Sequence, residues 1–490
     1  MSDTHDTTME DIVSLCKRRG FVFQASEIYG GISGFYDYGP LGVELLNNIK
    51  TEWWNAMVKE HDNIFGVDGS IIQNPRLWEA SGHVAGFTDP LVDCKNCGAR
   101  HRADHLAGTD STNLEELKEL LKDKVCPTCG KKALTEPRQY NMMMKTFVGP
   151  TVGVQFEGYD SLSGDVSAKK TDKETKLSIE ERTDMNSIML YDNKGVAYLR
   201  PETAGSIFTN YENVRETMRA KLPFGIAQIG KAFRNEISPR DFIFRVRELE
   251  QMEMQYFIDP KDEKSTYEQW REFAWNFVTK RMGMAEENVK WHEHDKDERA
   301  HYAAAAHDIY FKFPFGFKEL MGTHDRTDFD LGNHQRVSGK DLRYFDQESG
   351  QKFIPYVIES SMGVGRMFLA VLVDAYHEEE LNGETRVVLK LKPDLAPYKV
   401  AVSPLLKNKP ELVSKAREVY SMLKKEFGNV MYDDNGNIGK RYRRQDEIGT
   451  PFCVTIDFDT LEDDTVTVRH RDTTKQQRIK VDELIDKVGA

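Results

Sequence analysis

The chain has no long hydrophobic run. Its longest apolar stretch within a helix-like pattern, MFLAVLV at residues 367–373, is far shorter than the roughly 20 residues a membrane-crossing helix needs. The opening MSDTHDTTMEDIV is acidic and polar and does not read as a secretory signal, so a cytoplasmic protein is expected, with no membrane partner. Cysteine is scarce, with six in 490 residues, which excludes a disulfide framework. Excess positive charge is also missing: 67 Lys and Arg against 80 Asp and Glu give a net charge of −13. An acidic chain does not advertise nucleic acid, but screening over about 10 Å lets a local basic face bind it. There is no internal repeat and no low-complexity tract. What is present, 39% hydrophobic and 30% charged residues, suits a soluble globular protein of two or three domains.

Local patterns suggest an order of elements. TTMEDIVSLCKRRG predicts a capped amphipathic helix, with Ile12, Leu15 and Cys16 inward and Gly20 as its stop. LGVELLNNIKTEWWNAMVKE predicts a longer helix with Leu45, Ile49, Trp53 and Met57 as its apolar stripe. Residues 157–186 carry almost no core material and read as a polar insertion. Strands dominate from Gly225 to Ile258, where Met252, Met254, Tyr256 and Ile258 share a face. FIPYVIESSMGVGRMFLAVLVDAY reads as a strand, a glycine turn and an apolar helix. After a junction near residue 390 the pattern is strand 398–402, helix 411–427 closed by Gly428, strands 452–458 and 464–470, and a helix to the end. That is a small α/β domain.

Three motifs invite chemistry. Cys94 and Cys97 (CKNC) and Cys126 and Cys129 (CPTC) form two C-x-x-C knuckles, each followed by glycine. Four thiolates in that arrangement are the ligand set of a closed, structural zinc site, and the helical stretch NLEELKELLKDK fills the long spacing between them. GIAQIGKA, residues 225–232, nearly matches a phosphate-binding loop, but Ala232 offers no hydroxyl and the intervening residues are strand-like; it reads as a strand. His292, His294 and His301 lie in a run of solvated charge and read as an exposed face.

The stretch FRNEISPRDFIFRVRELEQMEMQYF, residues 233–257, reads as a β-hairpin with charges among its apolar positions. Arg234 and Glu236 are two apart, as are Arg245 and Arg247, so on strands each pair shares a face. Arginines beside carboxylates on a rigid sheet either form a structural ion-pair ladder or grip an anion while the carboxylates take an amine. RPETAGSIF adds Arg200 and Glu202, and IESSMGVGRMF adds Glu359, Ser361, Gly363, Gly365 and Arg366. Glycines there let a flat ligand approach the backbone, and the arginine can reach a terminal phosphate.

Together these motifs resemble the class II aminoacyl-tRNA synthetases, and within them the homodimeric glycyl-tRNA synthetases. FRNEISPR…RVRELEQME resembles the second signature of that class, GVGRMF the third, and VDGSIIQNPRLWEASGHVAGFTDP the first, with Pro75 ending a strand that meets a partner subunit. RPETA and ESSMG resemble the glycine-type pocket, and DIVSLCKRRGFVFQASEIYGG…YDYGPLG the start of the family. The resemblance implies an α+β protein. An antiparallel-sheet catalytic domain over 1–385 would carry an insertion at about 91–190 with the zinc knuckles and the polar segment. An anticodon-binding α/β domain would span 391–490. It implies activation of glycine by ATP with Mg²⁺, and transfer of the glycyl group to tRNA(Gly).

Carried over by position, Arg234 holds the ATP α-phosphate, Glu236 meets the adenine or the amino group, Arg366 grips the γ-phosphate, and Glu319 is the Mg²⁺ carboxylate. Asn235, Phe244, Arg245, Val246, Arg247, Glu248, Leu249, Leu320, Gly363, Val364 and Gly365 complete the implied ATP contacts. Arg102, Glu202, Glu250, Glu359 and Ser361 surround glycine, with Leu249, Gln251, Met252, Glu253 and Gly363 beside them. Such a pocket would reject larger amino acids by filling the side-chain space with its own groups.

Two positions depart from the family pattern. Leu249 stands where a phenylalanine is usual, implying weaker stacking on adenine. Gly205 stands where glutamine usually follows RPETA, implying altered support for Glu202. In the C-terminal domain GKRYRRQDE, residues 439–447, is a dense basic and aromatic patch that suits an anticodon loop. The rival readings are a synthetase for threonine, serine or proline, a non-catalytic paralogue, and an amino-acid-activating ligase that never meets tRNA. RPETA and ESSMG argue against the first, retained Arg234 and Arg366 against the second, and the C-terminal domain against the third.

Overall fold

The computed structural model describes residues 7–109, 111–148, 196–295, 303–381 and 383–489. The polar insertion at 157–186 and His301 lie outside the described residues. The chain divides into two compact units: Met1–Gly69, Ser206–Lys231 and Ser238–Ala490 in the first, Ser70–Gly205 and Ala232–Ile237 in the second.

The first unit is built on a seven-stranded sheet. Its strand order is Val289–Glu293, Ala305–Phe313, Gly316–Thr327, Tyr356–Gly363, Glu248–Ile258, Phe224–Phe233 and Ile64–Gly66. The pairs among the first five strands are antiparallel, and the last pair is parallel. Apolar helices cover one face. Met9–Arg19 starts at a Thr8–Asp11 capping box and stops at left-handed Gly20. Pro40–Trp54 buries Leu45, Ile49 and Trp53, and Val364–Ala375 buries nearly its whole length. Met252, Met254, Tyr256 and Ile258 join this core as the alternation predicts. The intervening Glu253 and Gln255 are buried as well, so the other face of the sheet is polar and partly buried here.

The charged hairpin is not regular. Its first strand ends at Phe233 and its second begins at Glu248. Arg234, Glu236, Arg245 and Arg247 therefore sit in the connection rather than on strand faces. The turn includes Asp241 and Phe242 at positive φ and a 3₁₀ turn at Phe242–Phe244. The Pro239 turn and the aromatic pair Phe242 and Phe244 interrupt the alternation. GIAQIGKA is a strand, as predicted.

The C-terminal part of this unit is a five-stranded sheet in the order Val430–Tyr432, Val400–Pro404, Phe452–Ile456, Thr465–His470 and Gln476–Lys480. Helix Pro410–Phe427 packs on it and ends at Gly428. The last strand occupies part of the region expected to be one terminal helix; a 3₁₀ turn at Val481–Glu483 and the helix Leu484–Gly489 follow it. GKRYRRQDE also differs from expectation. It lies in the helix Ile438–Glu447, and most of its charge is used internally. Arg441 is buried against the carbonyls of Pro404, Asp434 and Gly436. Arg444 chelates Asp433, and Tyr442 bonds Thr455 at 2.7 Å beneath Arg469. Lys440 remains exposed.

Among its described residues the second unit has two small apolar clusters, Val92, Ala103, Leu117 and Leu121 in one and Leu77, Trp78 and Met143 in the other. A three-stranded sheet, Arg100–Arg102, Thr88–Asp93 and Arg138–Asn141, supports the cysteine knuckles. The helix expected between them is Leu114–Leu121, capped by Asn113. Pro75 does not end a strand; it opens the helix Pro75–Ala80 behind an Asn74 cap, where its missing N–H costs nothing.

One buried ion cluster ties the C-terminal sheet to the strand Glu384–Leu389. Asp446, fully buried, accepts from Arg386 at 2.9 Å and from Arg469 at 2.7 and 3.0 Å. Asp446→Ala would leave Arg469 buried without its anion and Arg386 with Glu379 alone, a loss of about 3–5 kcal/mol. We expect a clear fall in the thermal midpoint of the intact protein by calorimetry; an unchanged midpoint would contradict the energetic role of this cluster.

Candidate functional site

On the polar face of the seven-stranded sheet, register sets the chemistry. Gln255, Glu359 and His324 lie directly opposite one another on three adjacent strands. Glu253, Ser361 and Gly322 form the next such row. Glu359 is only 4% exposed, yet all its near neighbours are donors. Oε2 accepts from Arg326 at 2.7 Å and from Gln255 at 2.8 Å. Oε1 lies 3.0 Å from His324 Nδ1 and 3.1 Å from the Ser361 hydroxyl. Burial alone would protonate this carboxyl, but the charge of Arg326 and the bonds from His324 and Gln255 outweigh it and hold the group well below the usual carboxylate range. Arg326 is itself fixed by a two-point bond to Asp330 at 2.7 and 2.9 Å. Glu253, also buried, accepts from Gln255 at 2.9 Å.

Near the start of the helix Val364–Ala375, Arg366 pairs with Glu319 at 3.0 Å and lies 4.5 Å from the Phe244 ring centroid. Gly365 approaches the Ile243 carbonyl and the Tyr38 hydroxyl so closely that a Cβ would sit 3.3 and 3.2 Å from them. Glu250 is bound by Lys50 at 3.3 Å, and Glu248 by Lys231 at 3.0 Å. The Arg247 guanidinium reaches the Ser33 carbonyl. Gln251 keeps Oε1 buried with no hydrogen-bond partner among the described residues. Three residues predicted beside the ligands, Met252, Leu320 and Val364, have their side chains in the apolar core instead: Met252 falls on the helix-covered side of its strand, Leu320 sits at a register shift, and Val364 opens the apolar helix.

Other residues predicted from sequence lie in the second unit. The Arg234 guanidinium donates to the Pro201 carbonyl at 3.1 Å and lies over Phe87. Asn235 bonds Tyr140 and, through its backbone, Met142. Glu202 meets His83 at 3.3 Å. Arg102 is held by Asp89 at 2.7 Å and by both oxygens of Asp104 at 3.1 and 2.5 Å. Burial opposes the charge of Asp104, but Arg102 outweighs it and keeps the carboxyl below its usual range. Glu236 is buried and adds its negative field to Arg102. Gly205 has a steric reason here: a Cβ would come within 2.8 Å of Leu77 and 3.1 Å of Trp78.

The four cysteine sulfurs lie within 4.8 Å of one another. Cys94–Cys129 and Cys97–Cys126 are each separated by 3.7 Å. Tetrahedral zinc with bonds of about 2.3 Å sets sulfurs about 3.8 Å apart, so the four fit that ion and leave no open position. Gly98 and Gly130 take positive φ at the knuckle turns, which favours glycine.

Several of these residues were not picked out from sequence: His324, Asp308, Arg326, Asp330, Gln255 and His83. The stretch THDRTDFDL held a signal, since His324 and Arg326 alternate on one strand face. The charged run around His294 predicts an exposed face, but its Nε2 lies 2.6 Å from the buried Asp308.

Comparison with known proteins gives this geometry a context. A model described as the class II tRNA synthetase core domain (G, H, P, S and T) matches residues 188–376, and an anticodon-binding domain model matches 399–490. A glycine–tRNA ligase of Clostridium kluyveri is 48% identical, covering 98% of this chain and 98% of its own. Those of Treponema denticola and Chlorobaculum tepidum are each 49% identical, covering 99% and 96% of this chain and 97% of their own. Giardia lamblia prolyl-tRNA synthetase, solved with prolyl-adenylate, has a TM-score of 0.63 at 14% identity, covering 98% of this chain and 76% of that one, a likeness of fold. The fold is that of a class II synthetase, an antiparallel catalytic sheet with a C-terminal anticodon-binding domain. By sequence over nearly its whole length, this chain belongs to the glycine–tRNA ligase family of class II aminoacyl-tRNA synthetases.

Proposed function

We propose that the chain joins glycine to tRNA(Gly) in two steps, with ATP as energy source, and that it does so as a cytoplasmic homodimer. The glycine carboxylate attacks the ATP α-phosphorus, forming glycyl-adenylate and releasing pyrophosphate. The terminal ribose hydroxyl of the tRNA then takes the glycyl group and releases AMP. The first step needs no strong base, because the nucleophile is already an anion; positioning and charge neutralisation lower its barrier.

The observation that carries this reading is the ionised, fully bonded Glu359 on the polar sheet face. It supplies a fixed negative charge for an ammonium, with the Ser361 hydroxyl as the one partner free to rotate away. Glu250 and Glu253 add acceptors for the same group, and Gln251 offers an unused one. Arg102, locked by Asp89 and Asp104, is a rigid wall in this reading. Arg234 neutralises the α-phosphate and Arg366 the γ-phosphate, with Glu236 and the backbone of Gly363 and Gly365 beside the nucleotide. Arg245, Arg247 and Phe244 line the same turn. Mg²⁺ arriving with ATP would be held by Glu319 and phosphate oxygens, as suits an ion that keeps few protein ligands; it would spread the charge that grows on the phosphates. Glu319 would then exchange its bond to Arg366 for the ion. Leu249 offers less stacking surface to adenine than an aromatic ring.

Selectivity follows from crowding. Glycine has no side chain to grasp, so the groups that meet its ammonium and fill the space beside its α-carbon must leave no room for a methyl group.

Amino-acid-dependent pyrophosphate exchange tests the reading. Glycine should support exchange, while alanine, serine, threonine and proline should not; exchange with proline or threonine would overturn it. Glu359→Gln should raise the glycine KM by at least about tenfold, the scale of a lost charge-assisted hydrogen bond, with the ATP KM little changed. Leu249→Phe should lower the ATP KM if adenine stacks there.

The four cysteines would hold a structural zinc ion. Elemental analysis should find one zinc per chain, and Cys126→Ser should lose it and lower the melting temperature, because a closed site contributes folding energy directly. Zinc-free protein with unchanged stability would refute the assignment. In the C-terminal domain, Lys440 is the exposed cation of the helix Ile438–Glu447. Lys440→Glu should weaken tRNA charging and leave pyrophosphate exchange intact; equal rates of charging would remove this helix from the tRNA contact.

A further inference from the structure

The polar face of the catalytic sheet holds titratable groups that the reading above does not use, and His324 is central among them. His324 stands directly across from Glu359 on the neighbouring strand. Its Nδ1 lies 3.0 Å from Glu359 Oε1, and its Nε2 lies 3.1 Å from Asp308 Oδ1. Both ring nitrogens therefore face carboxylate oxygens, and both can be satisfied only as N–H donors, which makes the ring an imidazolium. The other Asp308 oxygen takes His294 Nε2 at 2.6 Å. The line Glu359–His324–Asp308–His294 thus runs from a buried carboxylate to a part-exposed imidazole.

Space has been left for this ring. Gly322, on the same strand face, would with a Cβ come within 2.9 Å of His324 Cε1 and Nε2 and 3.1 Å of Asp308 Oδ1. Gly322 is not at positive φ, so backbone freedom does not explain it; close approach does. The groups facing this line from each packed element are Arg326 on the same strand, Asp308 and Tyr310 on one side, Glu359 and Ser361 on the other, with Glu253 and Gln255 beyond them. His292 and His294 lie at the outer edge, and Asp330 holds Arg326.

We propose that His324 is a positioning residue for glycine recognition: it clamps one oxygen of Glu359 while Arg326 clamps the other, and Asp308 and His294 hold the ring in place. The proposal rests on the reading that Glu359 meets the glycine ammonium. Arg326 and Gln255 already fix Oε2. Without His324, Oε1 is left with the Ser361 hydroxyl alone, the partner that must move when an ammonium arrives. The carboxylate plane is then free to turn. His324 also separates two acids. Burial works against its charge, but the bonds and charges of Asp308 and Glu359 raise the imidazole to about 10, and Asp308 is drawn down to about 2. Removing the ring leaves two carboxylates facing an uncompensated gap, where one takes up a proton at moderate acidity.

The sign of the pH effect follows. In the native protein the imidazolium persists to about pH 10, so glycine recognition stays level from about pH 6 to 8.5, below the raised value. In His324→Ala the Glu359 carboxyl, having lost its imidazolium, takes up a proton more readily and ammonium binding weakens as pH falls, so the defect is larger at pH 6 than at pH 8.5.

Steady-state pyrophosphate exchange with His324→Ala, His324→Gln, Asp308→Asn and Glu359→Gln decides the matter. His324→Ala should raise the glycine KM about tenfold, the scale of one lost hydrogen bond to a charged group, with the ATP KM and kcat within about threefold. His324→Gln, which keeps one donor, should recover part of that loss, and Asp308→Asn should move the glycine KM in the same direction by less. Should Glu359→Gln raise the glycine KM while His324→Ala leaves it within twofold at both pH values, His324 only fills space and the proposal falls. Should Glu359→Gln itself leave the glycine KM unchanged, the ammonium reading falls first and takes this one with it. A parallel rise of the glycine and ATP KM values in both His324 variants, with no rescue by glutamine, would assign the effect to folding and overturn the positioning role.

Discussion

The structure depends on keeping a carboxylate charged where burial should neutralise it. Glu359 lies in the middle of a sheet whose other face is solid hydrocarbon, and it stays ionised because arginine, histidine, amide and hydroxyl donors converge on it. Each cation in turn needs its own anion. Arg326 has Asp330 and His324 has Asp308. Among Glu359, Arg326, His324, Asp330 and Asp308, charge is therefore cancelled pair by pair over three strands and a helix, with one negative charge in excess. That excess is the property a small ammonium-bearing substrate can use, and it exists only because antiparallel register puts Gln255, Glu359 and His324 in one row. A single-residue slip of Tyr356–Gly363 would point Glu359 into the apolar helices and bring Ile358 to the polar face.

The same logic explains why the sheet has two unlike faces. Along Glu248–Ile258, Met252, Met254, Tyr256 and Ile258 alternate with Glu253 and Gln255. The apolar set packs against Pro40–Trp54 and Val364–Ala375. A face that must bury charge without water has no slack for unpaired groups, so its polar residues bond one another rather than solvent. Rigidity of the site then comes from the fold itself, since the same strands that carry the apolar core carry the acceptors.

Much of this was legible in the sequence. Apolar periodicity marked the helices Met9–Arg19 and Val364–Ala375 and their caps, the cysteine spacing marked the knuckles, and RPETA, ESSMG and GVGRMF marked the family. What periodicity could not mark was a turn with its own conformation. The charged hairpin looked continuous because Phe242 and Phe244 imitate strand residues, but two positive φ angles break it. Nor could it separate a binding arginine from a structural one. Arg441 and Arg444 read as a basic surface, yet they satisfy carbonyls and an aspartate inside the domain; only the way the preceding turn folds back on the helix reveals that. The polar row around His324 escaped for the same reason, because its members come from four separate strands and the segment following a fifth.

Gly205 and Gly322 show how departures from a pattern become intelligible once packing is known. Each looks like a loss of a side chain, and each is a place where a neighbour occupies the volume: Leu77 and Trp78 at the first, His324 and Asp308 at the second. At position 205 a larger residue would have to displace an indole with no exposed surface, a change that neighbouring helices absorb poorly in a close-packed interior. At position 322 it would have to displace a charged ring held at both ends. The two glycines therefore constrain their surroundings as firmly as the charged residues do, since the groups they admit, an indole in one unit and an imidazolium in the other, leave no second arrangement of equal packing.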